Sequence, residues 1–407
     1  MQGTPPEPRQ LLLHLFQQGL EAVNGRSRVH AALQGRTFPS AVYVAAIGKA
    51  AAAMTAGAIE ALGDLLVAGL VITRHGYLEG ALGPDSRIIA MESGHPLPDE
   101  QSLAAGEALR RFIVDAPSDA YFLFLISGGA SSLVEIPVPG VSLAELRSLT
   151  RWLLASGLPI DEVNRVRAAF SQIKGGRLLQ SLAGRPADQL LISDVPGDIP
   201  AHIGSGPLLP PAIRPMPELP ARFAGLPQTA LPQAQTGNLH TQIVATNGMA
   251  MDAVSKAAAD AGCNVHRHGV LPATDARLCG EKIADFLQHA PAGVHTWGGE
   301  TTVRLPAHPG RGGRNQALSL SAALGLQGTT GIYLLAAGTD GTDGNTCDAG
   351  ALVDGGSVAR GKDAGLDAAE CLLRADAGAF LEASGDLVYT GPTGTNVMDL
   401  VIAVKQS

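Results

Sequence analysis

The chain has 407 residues, more than one hydrophobic core usually serves, so its length predicts two domains. Hydrophobic residues make up 45% of the sequence and charged residues only 16%, a composition that argues against a disordered chain. The 29 basic and 37 acidic residues give a formal net charge of −8, which argues against nucleic acid as a partner.

The cysteines and the apolar stretches restrict the setting of the protein. The four cysteines lie far apart and form no C-x-x-C pair, so neither a disulfide framework nor a cysteine metal cluster is predicted. No apolar stretch reaches the ~18 residues of a membrane span, and no secretory signal is evident. We therefore expect a cytoplasmic protein without a membrane partner.

The first half of the chain alternates helical patterns with short apolar runs, beginning with a helical pattern from Arg9 to Val23. Apolar runs predict strands at 41–47, 65–73, 87–90, 121–126 and 190–192. Further helical patterns cover 99–114, with Asp99 as N-cap, and 143–155 and 160–170. The stretch from Pro207 to Pro232 contains eight prolines and little periodicity, so it is interpreted as the end of a domain and a linker.

The second half resumes the alternation of strands and helices. Strands are predicted at 242–245, 265–270, 294–297, 301–305, 332–337, 387–390 and 400–404, with helices up to 261, up to 288 and over 314–324. Many glycine-rich loops follow predicted strands, as in sheets with parallel strands. We therefore predict an α/β fold with two domains, residues 1–232 and 238–407.

Three loops of the first half follow predicted strands and carry groups suited to anions. Gly48-Lys49 stands where a strand turns into a helix, and a Lys at a helix N-terminus can meet a phosphate or carboxylate. Ser127-Gly128-Gly129 offers a hydroxyl and an unobstructed backbone. Asp194 could act as general base toward a substrate hydroxyl, or could equally cap a helix or close a turn.

A basic segment follows the helical pattern over 160–170. Asn164, Arg167 and Ser171 share one face if they lie on one helix. Arg can hold a carboxylate or phosphate in a bidentate fashion. Lys174 adds a further cation before a Gly-Gly break. A solvated amphipathic helix would have the same pattern, so both interpretations stay open.

Glycine-rich loops of the second half hold both cations and carboxylates. Arg311 and Arg314 stand among glycines at a predicted helix start, an arrangement suited to a phosphate. Asp340 and Asp343 follow the predicted strand 332–337, and paired carboxylates suit Mg²⁺ together with phosphate. An acidic turn without a ligand is the alternative. His266 and His268 alternate on a predicted strand, for which a structural role is favoured over ligation.

Taken in order, these motifs resemble those of the MOFRL-type glycerate kinases, the glycerate 2-kinase family. The resemblance covers residues 45–404, nearly the whole chain. It rests on Gly48-Lys49, Gly94–Asp99, Leu125–Gly129, Asn164–Arg167, Lys174–Arg177, Ser193–Val195, Gly197-Asp198, Gly204–Pro207, Gly298–Thr302, Gly312–Gln316, Thr339–Gly344 and Gly391–Val397.

The resemblance implies ATP-dependent, Mg²⁺-assisted phosphorylation of D-glycerate to 2-phosphoglycerate. It also implies a Rossmann-like first domain with a mainly parallel sheet, a smaller MOFRL-type α/β domain with a mixed sheet, and an active site in the cleft between them. A homodimer is a further expectation.

The resemblance and the residues together support a hypothesis for the site. The catalytic residues would be Lys49, Asp194 and Arg314, and the substrate would be bound by Ser127, Gly128, Gly129, Asn164 and Arg167. The nucleotide or its phosphates would meet Lys174, Glu300, Arg311, Asn315, Thr393, Thr395 and Asn396, and the metal ion would meet Asp340 and Asp343.

Two other functions stay open. A small hydroxy acid and a Rossmann-like sheet would also suit an NAD(P)H-dependent hydroxypyruvate reductase, although no G-x-G-x-x-G with a later acidic residue follows the first strand. The same loops could also bind a sugar acid or a nucleotide without any reaction. The number of carboxylates and cations at separate strand ends favours an enzyme over such a binder.

Overall fold

The computed structural model describes residues 7–78, 82–212, 215–230 and 238–407. These residues form two compact units. The N-terminal unit comprises Asn24–Ala245 and Gly394–Asn396, and the C-terminal unit comprises Thr246–Thr393, Val397–Ser407 and the described part of residues 1–23. Most of the predicted linker, residues 207–232, is described and lies in the N-terminal unit, whereas residues 231–237, at the predicted domain boundary, lie outside the described ranges. The predicted boundary therefore stays a prediction. The units differ from it in assigning residues 7–23 to the C-terminal unit and residues 238–245 to the N-terminal one.

The N-terminal unit is built on a six-stranded sheet in which every pairing is parallel. Its strands, numbered in chain order, are β1 (Val42–Ile47), β2 (Leu66–Arg74), β3 (Ile88–Ser93), β4 (Tyr121–Ile126), β5 (Ala187–Ile192) and β6 (Leu239–Ala245). They are arranged in the order β3-β2-β1-β4-β5-β6. This order is that of dinucleotide-binding folds, so the predicted Rossmann-like parallel sheet is confirmed.

Helices of the N-terminal unit complete its core. Helices are numbered in chain order, and α1 (Pro8–Ala22) belongs to the C-terminal unit. The helices of the N-terminal unit are α2 (Gly25–Leu33), α3 (Ala51–Leu62), α4 (Glu100–Val114), α5 (Ala130–Leu133), α6 (Leu143–Ala155), α7 (Ile160–Ala169), α8 (Arg177–Ser181) and α9 (Ala221–Ala224). Asp99 caps α4 as predicted, because its carboxylate accepts the Ser102 N–H at 2.9 Å. The fully buried Phe122 and Phe124 of β4 and Leu109 of α4 belong to one hydrophobic cluster.

The C-terminal unit contains a mixed six-stranded sheet, also as predicted. Its strands are β7 (Val265–Val270), β8 (Gly293–Gly299), β9 (Ile332–Gly338), β10 (Gly350–Asp354), β11 (Leu387–Val388) and β12 (Asp399–Lys405), in the order β11-β10-β9-β12-β8-β7. Only β7 and β8 pair in parallel. The strand predicted over 301–305 is wrong: β8 ends at Gly299, and from that stretch only Thr302 makes a bridge, with Asp275.

Seven helices are described in the C-terminal unit. Besides α1 they are α10 (Asn247–Asp260), α11 (Ala276–His289), α12 (Arg314–Gly325), α13 (Ser357–Asp363), α14 (Ala368–Leu373) and α15 (Ala377–Ala383). The helix α12 is buried on almost all sides, which explains its run of small and apolar residues. Arg9 ties α1 to this unit through ion pairs with Asp354 and Asp386. None of the helices in the described ranges is long and apolar enough to cross a membrane.

Candidate active site

Three predicted site loops meet at the carboxyl edge of the N-terminal sheet. The strands β1, β4 and β5 are neighbours and parallel, so Gly48-Lys49, Ser127–Gly129 and Asp194, which follow them, lie at the same edge. The strand order reverses between β1 and β4, and ligands of open α/β sheets bind at such a point. The fold therefore brings together residues that are up to 146 positions apart in the sequence.

The loops after β1 and β4 pack against each other. Gly48 has a φ of 132°, a backbone conformation that favours glycine, and a Cβ there would overlap Ser127. The Lys49 N–H donates to the Gly128 carbonyl at 2.9 Å, and the Ala50 N–H donates to the Ser127 hydroxyl at 3.0 Å. Ser127 is fully buried, so its hydroxyl fixes the loop that carries Lys49.

Asp194 and Asn396 converge on the glycines after β4. The Asn396 Nδ2 donates to Asp194 Oδ2 at 3.3 Å, and a Cβ on Gly128 would overlap both of these atoms. A Cβ on Gly129 would lie 3.3 Å from the Lys49 side chain. Lys49 and Asp194 thus flank one pair of glycines, and Asn396, predicted to meet the nucleotide, lies in the N-terminal unit beside Asp194.

The two predicted substrate ligands of α7 are in different situations. Asn164 is buried, donates to the His202 carbonyl at 3.1 Å and accepts from the Ser205 hydroxyl at 2.8 Å, so its contacts favour a structural role. Arg167 is half-buried, and its guanidinium makes none of the hydrogen bonds or ion pairs found among the described residues. Burial lowers the pKa of Arg167, and the charges of Glu135 and Asp194 oppose this shift.

Lys174 lies in the same unit as Arg167, in a buried ion pair with Glu135. Glu135 also accepts hydrogen bonds from the Ser171 hydroxyl at 2.5 Å and from the Ile136 N–H at 3.0 Å. Burial lowers the pKa of Lys174, and Glu135 opposes this shift. Arg167, Lys174 and Glu135 line a small cavity of ≈ 20 Å³. Lys174 therefore lies near Arg167, and its contact with the nucleotide stays a prediction.

Arg314 is the first residue of α12, and two carboxylates hold its guanidinium. Asp399 accepts from Nε at 2.5 Å and from Nη2 at 2.9 Å, and Glu300 accepts from Nη2 at 2.7 Å. Burial lowers the pKa of Arg314, but the charges of Asp399 and Glu300 outweigh it and raise the pKa well above its usual value. Asp399 begins β12 opposite Gly299 and Gly338, so the edge of the C-terminal sheet sets this geometry.

Arg311 and Asn315 have partners within the C-terminal unit. The Arg311 guanidinium binds Asp348 at 2.8 Å and Glu382 at 2.5 Å, which favours a structural role. Asn315 is buried, and its N–H donates to Asp343 at 3.1 Å. Their contacts with phosphate stay predictions.

Hydrogen bonds of Asp340 and of the Thr393 hydroxyl hold the loop after β9. Asp340 accepts from the Thr342 N–H at 3.0 Å and from its hydroxyl at 3.2 Å. The Thr393 hydroxyl donates to the Thr339 carbonyl. Thr395 is buried in the N-terminal unit.

The predicted metal pair does not fit Mg²⁺ in this arrangement. Both oxygens of Asp343 accept backbone N–H groups of α12, from Asn315 and from Gln316 at 2.8 Å. Burial raises the pKa of Asp343, and the Gln316 N–H and the Arg314 charge oppose this shift only in part, so that the pKa is about 7. Among the described residues, no group of three or more His, Cys, Asp or Glu side chains could hold a metal ion.

The sequence did not identify two carboxylates that organise the site. Glu135 follows α5 without a glycine-rich loop, and Asp399 begins a strand that reads only as apolar core. Their signal is the pairing with Lys174 and Arg314, which exists only in three dimensions.

Comparison with known proteins identifies the family. A model described as a domain of unknown function (DUF4147) matches residues 11–217, and the MOFRL family model matches residues 293–399. A protein of Thermotoga maritima named D-glycerate 2-kinase is 35% identical, over 98% of this chain and 99% of its own. A protein of Agrobacterium vitis, provisionally named hydroxypyruvate reductase, is 37% identical, over 96% of this chain and 93% of its own.

A solved structure agrees with the fold. The crystal structure of glycerate kinase from Thermotoga maritima superimposes with a TM-score of 0.81 and 34% sequence identity, over 98% of this chain and 99% of that one. Its similarity extends over both compact units. The chain belongs to the MOFRL-type glycerate kinases, the glycerate 2-kinase family.

Proposed function

We propose that this protein transfers the γ-phosphoryl group of ATP to the 2-hydroxyl of D-glycerate. The hydroxyl oxygen forms a bond to the γ-phosphorus, the bond from that phosphorus to the β–γ bridging oxygen breaks, and ADP leaves. The hydroxyl proton passes to a base. The name of the Thermotoga maritima relative, D-glycerate 2-kinase, supports both the substrate and the position.

The observation that carries this proposal is the state of Arg167. A half-buried guanidinium offers five donors, and a charged group held out of water needs an acceptor. Arg167 has no such acceptor among the described side chains and carbonyls, yet it lies close enough to Asp194 for that charge to act on it. The carboxylate of glycerate is a planar acceptor that a guanidinium can bind with two hydrogen bonds.

Asp194 and Lys49 supply the chemistry that we propose beside that carboxylate. Asp194 orients the 2-hydroxyl and accepts its proton, and Asn396 holds the Asp194 carboxylate through its Nδ2. Lys49 stabilises the charge on the transferred phosphoryl group. Phosphoryl transfer depends mainly on such positioning and electrostatic stabilisation.

Magnesium would neutralise charge on the ATP phosphates when bound. Because both oxygens of Asp343 accept N–H donors, the pair of Asp340 and Asp343 would not hold this ion. The role of Arg314 at a phosphate also remains a prediction, as do a cytoplasmic location and a homodimer.

Phosphorus NMR of the product formed from ATP, Mg²⁺ and D-glycerate tests this function. A phosphomonoester on C2 is the expected result. An ester on C3 would keep the kinase but contradict the proposed placement of the 2-hydroxyl beside Asp194. No ester at all would reject the kinase.

The reductase is the second candidate, favoured by the strand order of the N-terminal sheet and by the name of the Agrobacterium vitis relative. The loop after β1 contains Gly48 but then reads Lys-Ala-Ala-Ala-Ala-Met, so it lacks the glycines that approach a dinucleotide. Oxidation of NADH or NADPH on adding hydroxypyruvate would support this candidate, and unchanged absorbance would exclude it.

A further inference from the structure

The start of α12 lacks a side-chain cap of its own. Its N-cap residue is Gly313, which has no side chain to accept the free N–H groups of the first turn. The Asp343 carboxylate replaces that cap from the loop after β9. Its Oδ1 accepts the Asn315 N–H at 3.1 Å, and its Oδ2 accepts the Gln316 N–H at 2.8 Å.

The two loops that meet at this cap are fitted closely to each other. A Cβ on Gly313 would overlap Asp343, and a Cβ on Gly344 would overlap the Gly312 carbonyl, so both positions need glycine. The Gly312 N–H donates to Asn345 Oδ1 at 2.9 Å. The geometry is therefore determined by several contacts and not by the carboxylate alone.

Arg314 follows directly after the loop that makes these contacts. It is the residue immediately before the two capped N–H groups, so the cap fixes its backbone, while Asp399 and Glu300 fix its guanidinium. A shift of the first turn of α12 would move the Arg314 Cα and pull the guanidinium from Asp399. The Asp343 cap and the Asp399 pair therefore act on the same side chain from its two ends.

The Asp343 carboxylate is not accessible to a metal ion. The side chain is buried, both oxygens already accept N–H donors, and the partial positive charge of the helix N-terminus is directed at them. We propose that Asp343 is a positioning residue for Arg314 and not a metal ligand. This inference rests on the proposed function only in its kinetic test.

The variants Asp343→Ala and Asp343→Asn test this role, with Asp367→Ala as the matched control. Asp367 caps α14 in the same unit through the Glu370 N–H, at 2.8 Å. Three quantities are measured for each protein: kcat and KM for D-glycerate, the Mg²⁺ concentration for half-maximal activity, and amide hydrogen exchange of the peptide that contains Asn315 and Gln316. Exchange requires no activity, so it stays informative if the proposed function is wrong.

The positioning role predicts a graded effect. In Asp343→Ala, kcat falls at least tenfold, KM changes less than twofold, and the α12 amides exchange at least tenfold faster. Asp343→Asn keeps one acceptor oxygen, so its kcat and its α12 exchange rates should lie between those of Asp343→Ala and the wild type. The half-maximal Mg²⁺ concentration stays within twofold in both variants, and Asp367→Ala changes exchange only in α14.

Two results would overturn the inference. One is a half-maximal Mg²⁺ concentration that rises tenfold or more in Asp343→Asn while the α12 amides exchange at the wild-type rate, as for a metal ligand. The other is wild-type kcat and wild-type exchange in Asp343→Ala. Amide exchange in peptides of β8 and β10 shows whether a variant is folded. If Asp343→Ala does not fold, Asp343→Asn is used for the test.

Discussion

Two clusters of basic side chains, one in each unit, differ in how their charges are balanced. In the C-terminal unit, Arg314 has Asp399 and Glu300 as partners, and Arg311 has Asp348 and Glu382. In the N-terminal unit, three cations lie around the single carboxylate of Glu135. They are Arg167, Lys174 and Arg177, and Asp194 acts on the first of them.

This difference indicates where an anion is needed. Removing charges from water is costly unless they are paired, so an excess of cations is tolerated where a ligand supplies the missing negative charge. Arg177 donates to backbone carbonyls, which satisfy its hydrogen bonds but not its charge. The excess of cations around Glu135 therefore supports the proposed binding of an anionic substrate in the N-terminal unit. An anion at Arg314 would compete with the carboxylates of Asp399 and Glu300.

The largest effect is expected from removing the one carboxylate of the cation cluster. Glu135→Gln leaves the buried Lys174 without its charge partner and should lower the free energy of unfolding by about 3–5 kcal/mol. Urea denaturation measures this value. The double variant Glu135→Gln/Lys174→Met removes both charges and should recover most of the loss. An equal loss in the single and double variants would show that the charge pair is not the cause.

Lys49→Ala tests the cation beside the glycines after β4. We expect kcat to fall about 10²- to 10³-fold, because one preorganised group that stabilises developing charge contributes about that much. The KM for D-glycerate should change little, and the melting temperature should stay near that of the wild type because Lys49 is only half-buried. Steady-state kinetics with ATP and Mg²⁺ measure both constants. An unchanged kcat would remove Lys49 from the mechanism.

Arg167→Gln tests whether the unpaired cation binds the substrate carboxylate. Losing hydrogen bonds to a charged group costs about 1.5–3 kcal/mol, so the KM for D-glycerate should rise about 10- to 100-fold with a smaller change in kcat. Arg167→Lys keeps the charge but loses the bidentate geometry and should lie between the two. A wild-type KM in Arg167→Gln would place the carboxylate elsewhere.

Much of the fold followed from local patterns. Short apolar runs next to glycine-rich loops predicted β1, β4 and β9 within a residue or two, because strands that are buried on both faces form nearly continuous apolar runs. The strand predicted over 301–305 failed because Thr301–Leu305 has alternating character but no neighbouring strand to pair with beyond one bridge. Pairing is a property of the sheet, which a single segment does not contain.

The position of a side chain at the sheet edge was predictable where a strand end determines it, as for Lys49 and Asp194. The site was not predictable where the role depends on what a side chain contacts. Asn164 and Arg167 are three positions apart on α7, yet the first is satisfied by His202 and Ser205 and the second is not. Asp343 likewise reads as a metal ligand in the sequence, and only the closeness of α12 explains it as a cap.

The smallest effect is expected from acidifying the C-terminal unit at its stacked histidines. His295 is buried, its ring stacks on His266 and His268, and its Nε2 lies 3.0 Å from the Pro291 carbonyl, to which it donates. Burial lowers the pKa of His295 below its usual 6.5, and the charges of His266, His268 and Lys405 lower it further, while the hydrogen bond to Pro291 opposes this.

These contacts determine the sign of the pH effect. The folded protein binds fewer protons at His295 than the unfolded chain, so stability is complete above about pH 6.5 and should fall as the pH drops below it. A proton on His295 adds positive charge beside His266, His268 and Lys405. Arg311 and Arg314 of the same unit differ because carboxylates pair with them. Thermal unfolding at about pH 7.5 and about pH 5.5 measures the loss. His295→Gln should reduce this loss, and His14→Gln, on the exposed face of α1, should not. An equal loss of stability in the wild type, His295→Gln and His14→Gln would mean that acid destabilises the protein at other groups. The stacked histidines would then not be the place where this unit is sensitive to added positive charge.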